Sequence, residues 1–221
     1  MSDNSSAIEA TISAIVARIE QKNAAREKAL AESRQVIRNA ANSIRALHRH
    51  EFEQAAEMLE QGRALLLGLK NVLSLFPDIY WAGYVQDAQK EYSEARLTYA
   101  LVRGEVLPLP ETLGVEDAPY LNALAEAASE LRRYILDLIR HGAEHNEECE
   151  KLLEMMDEVY SRLVTVDYPD VLTGGLRRTT DQLRGVLERT RGDLTLTLRQ
   201  RVLELALARY NTPIDGKPNP E

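Results

Sequence analysis

An all-α fold is what this sequence predicts, and three observations predict it. Apolar residues recur at helical spacing along almost the whole chain, and no segment alternates with period two. The apolar content, 44% of 221 residues, rests on Leu, Ala, Ile and Val, a helix-favouring palette, with aromatics at only 5%. Pro77, Gly104 and Gly142 fall where the periodic runs stop.

The elements follow in order. Ile8, Ile12, Ile15, Ile19, Leu30, Ile37, Ile44 and Leu47 describe a long first helix ending near Arg49. A second runs from about Phe52 to Leu75, and a third over about 78–103. The segment EVLPLPETLGVEDAP is loop with one short helical turn at 110–114. A fourth helix spans about 117–141, and Asn146 can cap a fifth over about 147–165. A sixth, from about Leu172 to Tyr210, carries a heptad-like seam through Leu176, Thr180, Leu183, Leu187, Thr190, Leu194, Leu198, Arg201 and Leu205. That seam suits either the bundle's own core or a subunit interface, and its length favours the interface. The expected organisation is one domain over 1–210 and a flexible tail over 211–221, rich in Pro, Gly and Asn.

Composition narrows the setting. The single Cys149 excludes an internal disulfide and points to a reducing cytoplasm. The polar, acidic start MSDNSSAIEA is unlike a signal peptide, and no apolar run is long enough to span a bilayer, so no membrane partner is expected. The net charge of −8 is unevenly spread: +3 over 1–50, −14 over 51–171 and +4 over 172–210. Two basic ends flank an acidic middle, a pattern compatible with an anionic partner or with ordinary surface variation.

The acids of the third helix raise the question of function. On a helical wheel Tyr84, Asp87, Ala88, Glu91, Glu94, Ala95, Thr98 and Leu101 share a face, opposite Gln89, Lys90, Ser93, Arg96 and Arg103, which read as the solvated side. Carboxylates set among small and apolar residues either take raised pKa values or bind a cation. On the fourth helix Glu126 and Glu130 lie one turn apart and, taken alone, read as a solvated polar face. Were the two helices antiparallel neighbours, the four acids would converge in a geometry suited to Mg²⁺. His48 and His50 diverge, no phosphate-binding glycine loop or zinc motif is present, and the paired Glu-x-x-His of di-iron bundles is missing.

Four stretches in order resemble the translin superfamily, closest in pattern to translin-associated factor X (TRAX) and its archaeal relatives. They are SRQVIRNAANSIRALHR (33–49), QKEYSEA (89–95), PYLNALAEAASELRR (119–133) and LRRTTDQLR (176–184), and the likeness spans roughly residues 8–210. The resemblance implies a seven-helix bundle, six long helices and one short, that assembles into a hollow homo-oligomeric barrel, an octamer, enclosing RNA. It implies Mg²⁺-dependent (or Mn²⁺-dependent) cleavage of single-stranded RNA, with single-stranded DNA as a further ligand. Glu91 and Glu94 match the Glu-x-x-Glu of the TRAX catalytic set. Glu130 matches its following Glu, and Glu126 stands where TRAX has Asp, one methylene longer. These four are the expected catalytic and metal residues, and Arg34, His48, Arg49, Arg177 and Arg178 the RNA-binding candidates. Two other classes stay open: a non-catalytic RNA or single-stranded DNA scaffold of the translin type, and an all-α nucleotide pyrophosphatase. The pyrophosphatase match is weakened because the second acidic pair is spaced i,i+4.

Overall fold

The computed structural model of the chain describes residues 2–142 and 145–211. Among these, every regular element is a helix: α1 (Ser2–His48), α2 (Phe52–Leu73), α3 (Pro77–Tyr80), α4 (Gly83–Arg103), α5 (Pro110–Leu113), α6 (Asp117–His141), α7 (Asn146–Leu163), α8 (Asp170–Thr173) and α9 (Leu176–Asn211). The six long helices are those the periodicity predicts. Two of the expected ones are each divided. Pro77 starts a single turn, α3, and the extended backbone of Ala82 separates it from α4. Gly174 and Gly175, at φ +61° and +85°, separate α8 from α9, a conformation that disfavours any residue with a Cβ. Asn146 is not the cap of α7; its Oδ1 accepts from Arg201 Nη1 at 2.7 Å, and His145 holds the cap position. Of the expected tail, residues 212–221 lie outside the described residues.

In packing, α1 lies on α2 and α4, α4 lies on α6, and α6 lies on α7 and α9. One core cluster joins α6, α7 and α9 through Leu131, Ile135, Met156 and Leu187; another joins α1, α2 and α4 through Val36, Leu69, Leu73 and Tyr92. Each such fully buried aliphatic side chain contributes about 1.5–3 kcal/mol. Tyr92 fits because α2 offers Gly62 beneath it: a Cβ there would stand 3.2 Å from Tyr92 Cδ2. The α9 seam is chiefly intramolecular, a correction to the interface reading. Leu176, Leu183, Leu187 and Leu194 are buried within the chain, whereas the seam's last apolar residue, Leu205, is exposed together with Val202, Leu203 and Leu207 at the helix end. The start of α1 is likewise unburied, presenting Ile8, Ile12, Ile15 and Ile19.

The relation of α4 to α6 sets the site. Tyr80 pairs with Glu116 and Lys90 with Glu126, the same separation of 36 residues each time, so positions rise together along the two helices. They run parallel, not antiparallel. Gly104, at φ +65°, closes α4, with Glu105 N donating to Ala100 O at 2.9 Å, and residues 104–116 carry the chain back. α4 is about 30 Å long at 1.5 Å per residue, a span that this connection covers at roughly 3.3 Å per residue.

Candidate metal and nucleic-acid site

Gln89 fixes the register of α6 against α4. Its Oε1 accepts from the backbone N–H of Glu116 at 2.9 Å, and its Nε2 donates to Tyr80 Oη at 3.2 Å. Tyr80 Oη donates in turn to Glu116 Oε1 at 2.5 Å, and burial first, then this bond, pushes the phenol up to about 12. Nearly two helical turns further along α6, buried Asn122 ties α8 and α9 down. Its Nδ2 donates to Ala118 O at 2.9 Å and Thr173 O at 2.7 Å, and Thr179 Oγ1 donates to its Oδ1 at 2.7 Å. Buried amides so saturated act as positioning joints. Gln89 therefore belongs to the interior and not to the solvated side the wheel assigned, and Ser93 is fully buried. The wheel fails because α4 has neighbours around most of its circumference: α1, α2 and α6.

One turn beyond Asn122, the acids meet. Carboxylate oxygens of Glu91, Glu94 and Glu126 lie within 4.8 Å of one another, all three residues half-buried. Burial first, then the charges of Glu126, Glu91 and Glu130, pushes the Glu94 carboxyl up to about 8, against the pull of Lys90. No hydrogen bond reaches that carboxylate among the described residues. Glu130 is close enough to raise Glu94 but is otherwise engaged: its Oε2 lies 3.0 Å from His48 Nε2. Lys90, read from the sequence as solvated, puts its Nζ 2.9 Å from Glu126 Oε1 and 3.3 Å from Glu91 Oε1. Burial works against its ammonium, but the hydrogen bond and charge of Glu126, helped by Glu91, outweigh that and hold its pKa above the ordinary lysine value. The signal for Lys90 lay in its i,i+4 spacing to Glu94, which puts it on the acids' side once α6 covers that flank.

The basic candidates scatter. The His48 side chain is 2% exposed and faces Glu130, so this face of the single chain does not present it outward. Arg34 is exposed. Arg49 is spent on Glu51, with Nη2 to Oε2 at 2.6 Å, and Arg177 pairs with Asp167 at 3.3 Å. Arg178 opens onto a cleft of about 570 Å³ that also takes in Lys90 and Glu126.

Parallel α4 and α6 thus present an acidic cluster beside a cleft in an all-helical chain. The chain is 31% identical over 179 residues to an uncharacterized protein of Methanocaldococcus jannaschii, covering 78% of this chain and 76% of that one. Among solved structures it is similar to AfC3PO, determined as a complex with duplex RNA, at 31% identity and a TM-score of 0.79, covering 87% of this chain and 98% of that one. It is also similar to apo-NeC3PO, at 18% identity and a TM-score of 0.73, covering 84% of this chain and 96% of that one, a likeness of fold. No family profile matches the chain. The protein belongs to the translin/C3PO family, and the TRAX-like pattern of its motifs fits that membership. No helix of the described residues is long and apolar enough to cross a membrane.

Proposed function

We propose that this protein is a divalent-cation-dependent endoribonuclease that binds RNA and cleaves it where it is single-stranded, within a homo-oligomeric barrel. The observation that carries the reading is the convergence of Glu91, Glu94 and Glu126 from two parallel helices, with Glu94 driven up to about 8 and given no hydrogen-bond partner among the described residues. The RNA arm draws support from AfC3PO, a relative solved with duplex RNA.

The donor set fits a hard cation. It is all oxygen, carries more negative charge than Lys90 neutralises, and leaves Glu94 protonated at neutral pH unless a further positive charge arrives. Glu91, Glu94 and Glu126 would hold Mg²⁺ or Mn²⁺, with Glu130 beside them as a direct or outer partner. Bound there, the cation supplies a water of lowered pKa and offsets charge on the phosphate under attack. The remaining work falls to the chain. Glu94 releases its proton as the site loads. His48 holds Glu130 in place through Nε2. Lys90 shields Glu91 and Glu126 from mutual repulsion until then. Gln89 and Asn122 keep α6 from sliding, so that Glu126, longer by a methylene than the Asp of TRAX, meets the α4 pair.

Residues 1–210 act as one domain in this reading, because Tyr120 packs against both core clusters and α4 and α6 share their boundary. Self-association, up to an octamer, uses the exposed apolar ends of α1 and α9. The decisive assay offers purified protein with Mg²⁺ or Mn²⁺ to labelled single-stranded RNA, duplex RNA and, separately, nucleoside triphosphates. Cleavage of the single strand that stops with EDTA is expected. Binding without cleavage makes the protein a scaffold of the translin type, and triphosphate hydrolysis without action on RNA makes it a pyrophosphatase.

A further inference from the structure

The cleft beside the acids contains more than the cation site needs. Its volume of about 570 Å³ falls within the roughly 300–1,000 Å³ of small-ligand pockets. Trp81 lines it from the α3–α4 junction, Val171 and Leu172 line it from α8, and Arg178 lines it from the first turn of α9. Trp81 is the chain's single tryptophan, and it is 60% exposed. Its ring is braced edge-on by Tyr80, at 5.3 Å between centroids and 86° between planes, which fixes the indole without covering it. Val171 and Leu172 are also exposed, so the cleft keeps an aromatic and two aliphatic side chains in water. Arg178 has no ion pair among the described residues, although its neighbour Arg177 has one. The Gln182 amide adds hydrogen-bonding groups on the same walls, as does the amide oxygen of Gln86, whose Nε2 donates to Tyr80 O at 3.1 Å. Asp87 and Glu126 are there too and disfavour a purely anionic ligand.

A flat π-face to stack, a free guanidinium and side-chain amides match the three parts of a nucleotide: base face, phosphate and base edge. We propose that this cleft binds one unpaired nucleotide of an RNA strand, its base against Trp81 and its phosphate at Arg178, adjoining the position where the strand is cut. The inference rests on the RNA-cleaving reading above and deepens it by naming what selects the substrate. A base inside a duplex has both faces covered by its neighbours, so Trp81 can stack only on a nucleotide out of the helix. Lys90 and Glu126 belong to the wall of the cleft as well as to the acidic cluster, so a nucleotide held there lies beside the cation ligands.

Trp81 reports on its own site, because no other tryptophan contributes emission. The full-length protein in EDTA, where no cutting is expected, is titrated with a short single-stranded oligoadenylate, the same strand made abasic, and a blunt duplex. Trp81 emission is followed alongside anisotropy of the labelled RNA. Saturable quenching by the single strand is expected, with none from the abasic strand or the duplex even where anisotropy registers binding. Trp81→Leu should weaken single-strand binding about tenfold, Trp81→Phe should keep most of it, and Arg178→Ala should weaken intact and abasic strands alike. Circular dichroism of each variant separates these losses from unfolding. Single-strand binding that leaves Trp81 emission unchanged, or a Trp81→Leu variant that binds like the parent, overturns the cleft assignment and leaves the nuclease reading standing. If no RNA of any form registers by anisotropy, the RNA reading itself fails and takes this inference with it.

Discussion

Two polar groups on α6, at Asn122 and at Glu126, lie one turn apart and are built on opposite terms. The Asn122 amide is complete: both donors are used and its oxygen accepts from Thr179. The cluster around Glu126 is incomplete: three carboxylates gather against one ammonium, and Glu94 keeps a proton rather than add another charge. Burying a polar group is tolerable where its partners are supplied by the fold, and costly where they are not. The first site therefore reads as architecture. The second, in the reading proposed above, is a place where the chain tolerates instability for the sake of a cation that arrives from outside.

The largest effect should come from the incomplete site. Glu94→Gln or Glu91→Gln should lower RNA cleavage by about a thousandfold, on the scale of several kcal/mol of lost transition-state stabilisation. Oligomer size and RNA binding should hardly move, and melting temperature should not fall, because each change removes a carboxylate the fold leaves uncompensated. A thermal scan, light scattering and anisotropy beside the cleavage assay test this, and wild-type cutting by a folded Gln variant would remove the acids from the chemistry.

Asn122→Ala should do the reverse. It strips partners from Thr173 O and Thr179 Oγ1 and opens a void, for about 2–4 kcal/mol of stability. Denaturant melts should show it, with the residual folded protein still cutting. A Cβ at Gly174, whose φ is +61°, would stand 3.5 Å from Asn122 Nδ2, so the turn between α8 and α9 packs close against this amide.

How much of this was legible beforehand divides along the same line. Periodicity locates six long helices, because each buries a stripe whose spacing the chain itself carries. The motif residues locate the acids. What the sequence does not carry is the direction in which α4 and α6 pair: residues 104–116 are long enough for a crossover, and both arrangements bring acids on the two helices near one another. The wheel also misassigns Gln89 and Lys90, because it knows one helix at a time. Which flank of α4 is covered depends on α6, and α6 is placed by Gln89 itself. Trp81 gives no sequence signal at all, since a lone tryptophan usually reads as core.

A smaller effect concerns pH. In the cation-free protein Glu94 binds its proton up to about 8, whereas the unfolded chain loses it near the model-peptide value of about 4.3. Between those values the folded state binds more protons than the unfolded one, so stability falls as pH rises through that window and levels off above it. Partial solvent access reduces the drop to about 1–3 kcal/mol. Unfolding in EDTA at pH 5, 6.5 and 8 should show the slope, and Glu94→Gln should flatten it. The Asn122 site holds no titrating group, so Asn122→Ala should lower the whole curve without changing its shape.

The smallest effect isolates Lys90, the one partner that the described residues supply to the incomplete site. Its Nζ sits between Glu91 and Glu126, where a cation would compete with it for the same oxygens. Lys90→Gln removes that charge while keeping a polar chain of similar length. Without metal, Glu91 and Glu126 then repel, and the protein should lose about 1 kcal/mol, the size of a half-exposed ion pair. With saturating Mg²⁺ the loss should vanish, because the cation meets the same oxygens without a competitor, so the Mg²⁺-induced rise in melting temperature becomes larger in the variant than in the parent. Were Lys90 an architectural group like Asn122, its removal would cost the same with and without Mg²⁺. Paired melts of the two proteins in EDTA and in Mg²⁺ decide between these, and equal losses in both buffers would place Lys90 with the fold rather than with the site.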